Sequence, residues 1–179
     1  IKIKNINFHN ILQKFLTINK FTKENEYNFS YSKSFIDKLK PKINLGKLIN
    51  SFNNVKLLGS GINYLIAKKY GLIFSKKFNK SIAYDVIENH KHIDISSEPL
   101  LIIFAANIFR TGFQTDVISE IEKFISHNNK IVVFTNSKNN FFEKKSNKKD
   151  ISLNIIKLPV VDEIYSAAQL EYYLNKNFK

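Results

Sequence analysis

The 179-residue sequence contains no cysteine and no methionine, and its only arginine is Arg110. Without a thiol there is no disulfide scaffold, no zinc ribbon and no thiol nucleophile. The four histidines are scattered and do not supply the ligand set of a dedicated metal site, so no metal is expected. The longest uninterrupted apolar stretch, Pro99 to Ala106, falls far short of the roughly 20 residues that a membrane-spanning helix needs. The opening Ile1-Lys2-Ile3-Lys4 lacks the long apolar region of a signal peptide, so nothing points to export. The expectation is a soluble, cytoplasmic chain with no membrane partner. Because it begins at Ile1 and holds no initiator, a piece of something longer is expected.

Several motifs are also missing. A dinucleotide fingerprint needs a third glycine where Tyr64 stands, and there is neither a Walker phosphate loop nor a Gly-x-Ser-x-Gly nucleophile elbow. Dinucleotide binding at a Rossmann turn, Walker-type phosphate binding and serine-hydrolase chemistry are thereby set aside.

What is present suits one domain with a short extension, since typical domains run to about 100–150 residues. The net charge of +13 would ordinarily suggest a polyanionic partner. It comes almost entirely from lysine, however, whereas nucleic-acid sites favour the bidentate fork of arginine. Joint enrichment in Asn, Ile, Phe and Lys is what an AT-rich coding sequence produces without selection for binding. Nucleic acid is therefore not the expected partner, and a mild attraction for small anions such as sugar phosphates follows in either case.

From about residue 48 onward, strand and helix patterns alternate. Val55 to Leu58 reads as a strand that breaks at Gly59-Ser60-Gly61 and passes into a helix over Ile62 to Phe74. Ser81 to Val86 is a short strand. Leu100 to Ala105 is apolar without interruption, as in a parallel strand buried on both faces. After Gly112 a helix carries Val117, Ile118, Ile121, Phe124 and Ile125 on one face and ends near Asn128-Asn129. Lys130 to Thr135 is the next strand, Asn136 to Asp150 a polar and mobile surface excursion, and Ser152 to Leu158 a last strand. A final helix starts at Asp162 and carries Ile164, Ala168, Leu170 and Leu174.

This alternation predicts an α/β three-layer sandwich with a mainly parallel sheet flanked by helices, whose ligand sits beyond the carboxyl ends of the strands. Residues 1–47 are expected to form a helical lead-in or the remnant of a preceding domain, with apolar stripes at Ile11 to Leu16, Phe35 to Leu39 and Leu45 to Phe52.

Two stretches could carry chemistry. Gly59-Ser60-Gly61, followed by Asn63, suits an anion or a sugar hydroxyl, because glycine admits close backbone approach and a helix start offers N–H groups with partial positive charge. The same turn can simply let a strand enter a helix. Glu88-Asn89-His90-Lys91-His92 packs a carboxylate, two imidazoles and an ammonium into five residues. It reads either as an acid/base centre able to move a proton between adjacent sugar carbons or as a solvated loop. Ser96-Ser97-Glu98 is read as structural.

Leu58 to Tyr64, Ser81 to Asp94, Ser96 to Pro99 with its apolar strand, and Lys157 to Ile164 together resemble the second sugar isomerase (SIS) domain of the glucosamine-6-phosphate synthases, over roughly residues 45–170. The resemblance implies an SIS domain acting as the isomerase half of glucosamine 6-phosphate synthesis from fructose 6-phosphate and glutamine. It implies Glu88, His90, Lys91 and His92 as catalytic residues and Ser60, Gly61 and Asn63 as substrate contacts. The implied partners are fructose 6-phosphate or glucosamine 6-phosphate, and either a second copy in a homodimer or another SIS domain with a glutaminase domain. No cofactor is expected, since enediol chemistry needs only placed acids and bases.

The first SIS half of that family holds the phosphate in a Ser-x-Ser-Gly-x-Thr run, and a second half lacks it, as this sequence does. Three departures stand against retained catalysis. Lys76 occupies the place of the family's proton-transfer Glu, Lys91 that of its His with His90 and His92 on either side, and no match is seen for the tail that carries the Schiff-base Lys. The competing expectation is a catalytically silent SIS module binding a phosphosugar or a partner domain.

Overall fold

The computed structural model describes residues 43–92, 99–110, 113–147, 152–159 and 163–177. A short helix α1 (Leu45–Ser51) leads to strand β1 (Val55–Gly59), helix α2 (Ile62–Phe78) and strand β2 (Ile82–Val86). A 3-10 turn (Ile87–His92) follows, then β3 (Leu100–Ala105), a 3-10 turn (Ile108–Arg110) and α3 (Gln114–Ser126). The chain ends with β4 (Lys130–Thr135), α4 (Asn140–Asn147), β5 (Leu153–Lys157) and α5 (Glu163–Asn177).

The five strands form one sheet in the order β2-β1-β3-β4-β5, and every pairing is parallel. The central strand β3 is buried along its whole length, which explains its unbroken apolar run: a parallel sheet is covered on both faces. Alternate residues therefore serve different cores. Val55, Leu57, Leu100, Ile102, Phe104, Val132 and Phe134 face a layer made by α1, α2 and α5. Leu58, Leu101, Ile103, Ala105, Ile131 and Val133 face α3 and α4. The expected three-layer α/β sandwich is present.

Two expectations are corrected. Asn136 to Asp150 is not a loose polar excursion: Asn136 and Ser137 are buried, and α4 inserts Phe142, fully buried, beneath the sheet. The α2 helix runs one turn further than Phe74, to Phe78, and closes on Asn79 in the left-handed conformation. The expected stripe at Leu45 to Phe52 is α1, in which Leu45 and Ile49 are core residues on either side of the position where the lead-in was expected to end. Residues 1–42, Ser96-Ser97-Glu98 and Asp162 lie outside the described residues.

Candidate functional site

After β1 the chain moves to β2 on one side and then returns to β3 on the other, so the order reverses between β1 and β3. In open α/β sheets ligands bind outside the carboxyl ends of the strands at such a reversal. The residues here are Gly59-Ser60-Gly61, the start of α2, and Ala106-Asn107 after β3.

Both glycines of the turn are required. A Cβ on Gly59 would lie 2.6 Å from the main-chain carbon and oxygen of Asn63, so a side chain there collides with the first turn of α2. Gly61 has φ +56° and ψ −127°, a conformation open to glycine and rarely to other residues. No described side chain caps α2; its first turn is closed by main-chain bonds from Asn63 N to Ser60 O and from Tyr64 N to Gly61 O, both 3.1 Å. The positive end of the helix therefore faces the crevice without a side-chain cap among the described residues.

Ser60 and Glu88 meet across the sheet edge. The registers place Gly59 beside Val86, so the residues that follow each strand emerge together. Ser60 Oγ donates to Glu88 Oε1 at 2.6 Å. Glu88 is exposed. The backbone carries His90, Lys91 and His92 through the later part of the same 3-10 turn, and their side chains lie outside what is described.

Below the turn runs a floor of amides. Asn63 is buried; its Nδ2 donates to Ala106 O at 2.9 Å, while its Oδ1 has no hydrogen-bond partner among the described residues. Asn107, at φ +57°, donates its main-chain N–H to Asn136 Oδ1 at 2.7 Å, and Asn136 Nδ2 returns a bond to Asn107 Oδ1 at 2.6 Å. Beyond Asn136 a cavity of ≈ 400 Å³ opens, lined by Phe109, Gln114, Asn136, Ser137, Lys138 and Asn139. A second, of ≈ 340 Å³, lies at the opposite, amino edge around Asn53, Lys56 and Lys80.

The structure thus brings Ser60, Gly61, Asn63 and Glu88 to one edge. It separates them from Lys76, which lies 14 residues beyond Ile62 in α2, about 21 Å along the axis at 1.5 Å per residue. Among the described residues no group of three His, Asp or Glu side chains is placed to hold a metal ion, and no helix is long and apolar enough to cross a membrane.

No protein-family model and no curated protein sequence matches the chain. Solved structures do. The C-terminal domain of glucosamine-fructose-6-phosphate aminotransferase from Francisella tularensis superposes with TM-score 0.62 at 13% identity, over 86% of this chain and 44% of that one. The chain has the fold of a sugar isomerase domain. The sugar isomerase domain of an RpiR transcription factor from Sphaerobacter thermophilus matches with TM-score 0.58 at 8% identity, over 84% of this chain and 86% of that one. An E. coli protein solved in complex with a ligand matches with TM-score 0.57 at 14% identity, over 98% of this chain and 88% of that one. This chain spans less than half of the Francisella chain.

Sequence reasoning did not find Asn136 or the Gln114–Asn139 cavity at this carboxyl edge of the sheet. The one available signal is positional: Asn136 directly follows the apolar run of β4, as Ser60 directly follows β1.

Proposed function

We propose that this sugar isomerase fold binds a phosphosugar at the carboxyl edge of β1 and β3, and that it works as the isomerase half of glucosamine 6-phosphate synthesis from fructose 6-phosphate. The observation that carries the reading is the Ser60–Glu88 hydrogen bond at the mouth of the uncapped α2 helix. It holds a carboxylate at the carboxyl edge of the sheet, beside the buried amide of Asn63, whose Oδ1 has no hydrogen-bond partner among the described residues. Sugar hydroxyls both donate and accept, and a carboxylate paired with a hydroxyl at a helix start suits them.

In the reaction, the Glu88 carboxylate takes the proton from the carbon next to the open-chain carbonyl. As the enediol forms and collapses, the proton of the adjacent carbon's hydroxyl passes to the carbonyl oxygen, and Glu88 returns the abstracted proton to the former carbonyl carbon, leaving the aldehyde. Ser60 orients the carboxylate through Oε1 and leaves Oε2 for the transfer. His90 or His92 would open the ring, with Lys91 beside the developing oxyanion. Ser60, Gly61 and Asn63 hold the sugar. A homodimer, or a second sugar isomerase domain with a glutaminase domain, would complete the assembly in the cytoplasm.

Conversion of fructose 6-phosphate to glucose 6-phosphate, detected with a coupled dehydrogenase, tests catalysis. Glu88→Gln is expected to lower the rate by about 10²–10⁴-fold, the usual worth of a positioned acid/base; an unchanged rate removes Glu88 from the mechanism.

A second reading is a catalytically silent phosphosugar-binding module. Lys76 favours it: the position that should bear the proton-transfer carboxylate is an exposed lysine at the far end of α2. Saturable stabilisation by fructose 6-phosphate without turnover decides for this second reading.

A further inference from the structure

The cavity past Asn136 exposes almost only carbon, although most of the residues that line it are polar. Their polar atoms are turned to one another. Ser137 Oγ donates to Gln114 Oε1 at 2.9 Å and accepts from Asn139 N at 3.1 Å. Asn139 Oδ1 accepts from Phe141 N at 2.8 Å where α4 begins, and the Asn136 amide is locked to Asn107 in both directions. The wall is left to the carbon of these side chains and to Phe109, 38% exposed, while Lys138 is exposed and its ammonium has water to face.

This bonding leaves an asymmetry. Each side-chain acceptor of the lining, Gln114 Oε1, Asn136 Oδ1, Ser137 Oγ and Asn139 Oδ1, already receives a hydrogen bond. Two amide donors, Gln114 Nε2 and Asn139 Nδ2, have no partner among the described residues, and the bonded oxygens of the same amides fix where they point. A group that suits the cavity is therefore apolar in body, offers an acceptor and brings no charge into a carbon-lined space. An acyl group is such a group. At ≈ 400 Å³ the space is larger than the about 150 Å³ in which an apolar protein cavity holds benzene, so a chain of several carbons fits. Ser137 follows β4 as Ser60 follows β1, two strand intervals away, or about 10 Å at about 4.8 Å each, a distance that one substituted sugar spans.

We propose that this cavity is an acyl subsite: the aliphatic chain packs on Phe109 and the side-chain stems, and the carbonyl oxygen accepts from Gln114 Nε2. Resting on the phosphosugar reading, the ligand is an N-acylated amino-sugar phosphate whose sugar lies toward Ser60 and Asn63. Apart from that reading, the same chemistry is met by a free acyl amide.

Calorimetric titration of the full chain with N-acetyl-, N-butyryl- and N-hexanoyl-glucosamine 6-phosphate, and with N-methylbutyramide, tests this. The three sugars carry the same charge and differ only in chain length. Affinity is expected to rise about tenfold from acetyl to butyryl, at about fourfold for each buried methylene. Phe109→Ala is expected to flatten that rise, and Gln114→Glu, which keeps the shape but loses the donor, to weaken every acylated sugar several-fold. Leu72→Ala, the loss of an exposed apolar side chain on α2, should change nothing. If the sugars bind with an affinity independent of chain length, or the rise survives in Phe109→Ala, the acyl subsite is overturned and the phosphosugar reading stands. If N-methylbutyramide binds, and binds more weakly to Phe109→Ala, while none of the sugars binds, the acyl subsite stands and the phosphosugar reading falls. If nothing binds, both fall.

Discussion

Asn63 shows how the two ends of one amide can be placed differently by the fold. Its Nδ2 ties α2 to the turn after β3, and its buried Oδ1 waits for a donor. In a sequence so rich in Asn nothing marks Asn107 and Asn136 except their placement after buried strands, whereas the glycine turn before it drew attention to Asn63. Ser60 and Glu88, by contrast, were legible because a glycine pair and a dense charge cluster stand out from the background. Tyr70 illustrates a cost that only the fold reveals. Burial, and after it the Glu171 carboxylate, push its phenol well above the ordinary value of 10.0, while its hydroxyl donates to Glu171 O and Asn175 Oδ1. The unfolded chain sheds this proton as pH passes about 10 and the fold retains it, so the folded state binds more protons and stability falls with rising pH. Denaturant melts between about pH 9 and 11.5 should show that decline, and Tyr70→Phe should flatten it while costing about 0.5–1.5 kcal/mol at neutral pH for the lost hydrogen bonds. An unaltered alkaline slope would assign the decline elsewhere, beginning with Tyr173, whose phenol burial also raises.

Among the elements, β3 and β4 were plain in the sequence since both of their faces are buried and no polar residue interrupts them. The amphipathic α3 was equally plain, with Val117, Ile121 and Phe124 one turn apart and all buried. The α4 helix was not. Only Phe141 and Phe142 are apolar in it, and no periodicity can be read from two adjacent residues amid Lys and Asn. Tertiary packing decides its conformation: Phe142 is fully enclosed with the α3 core and Phe141 packs at its edge, the two rings edge to face at 5.1 Å. Replacement Phe142→Ala should therefore cost about 3–5 kcal/mol, measured by chemical denaturation, the cost of emptying a packed aromatic site. A loss below about 1 kcal/mol would mean that α4 adds little to the core.

For the whole molecule, the α/β class and the parallel sheet followed from the alternation of patterns, whereas the strand order that creates the crevice could not, because pairing between distant strands leaves no trace in local spacing. Nor did the sequence locate the Lys138 cavity, which exists only where α3, β4 and the turn after β3 converge. The net charge of +13 is a global property with a global consequence. Self-repulsion loosens the compact state and salt screens it within about 10 Å at 0.1 M. The melting temperature should accordingly rise between about 10 mM and 300 mM sodium chloride, and a fall would show that local ion pairs such as Lys69–Glu171 outweigh the repulsion.

Lys80 offers a practical handle. Its ammonium donates to the carbonyls of Ile49, Asn50 and Phe52, at 3.1, 2.8 and 2.9 Å, and so pins the end of α1 to the amino edge of the sheet. Together with the buried Leu45 and Ile49, this amine fixes α1 on the side of the sheet away from Ser60 and Glu88. Acylating Lys80 should therefore loosen the last turn of α1 while leaving the opposite edge, with Ser60 and Glu88, untouched.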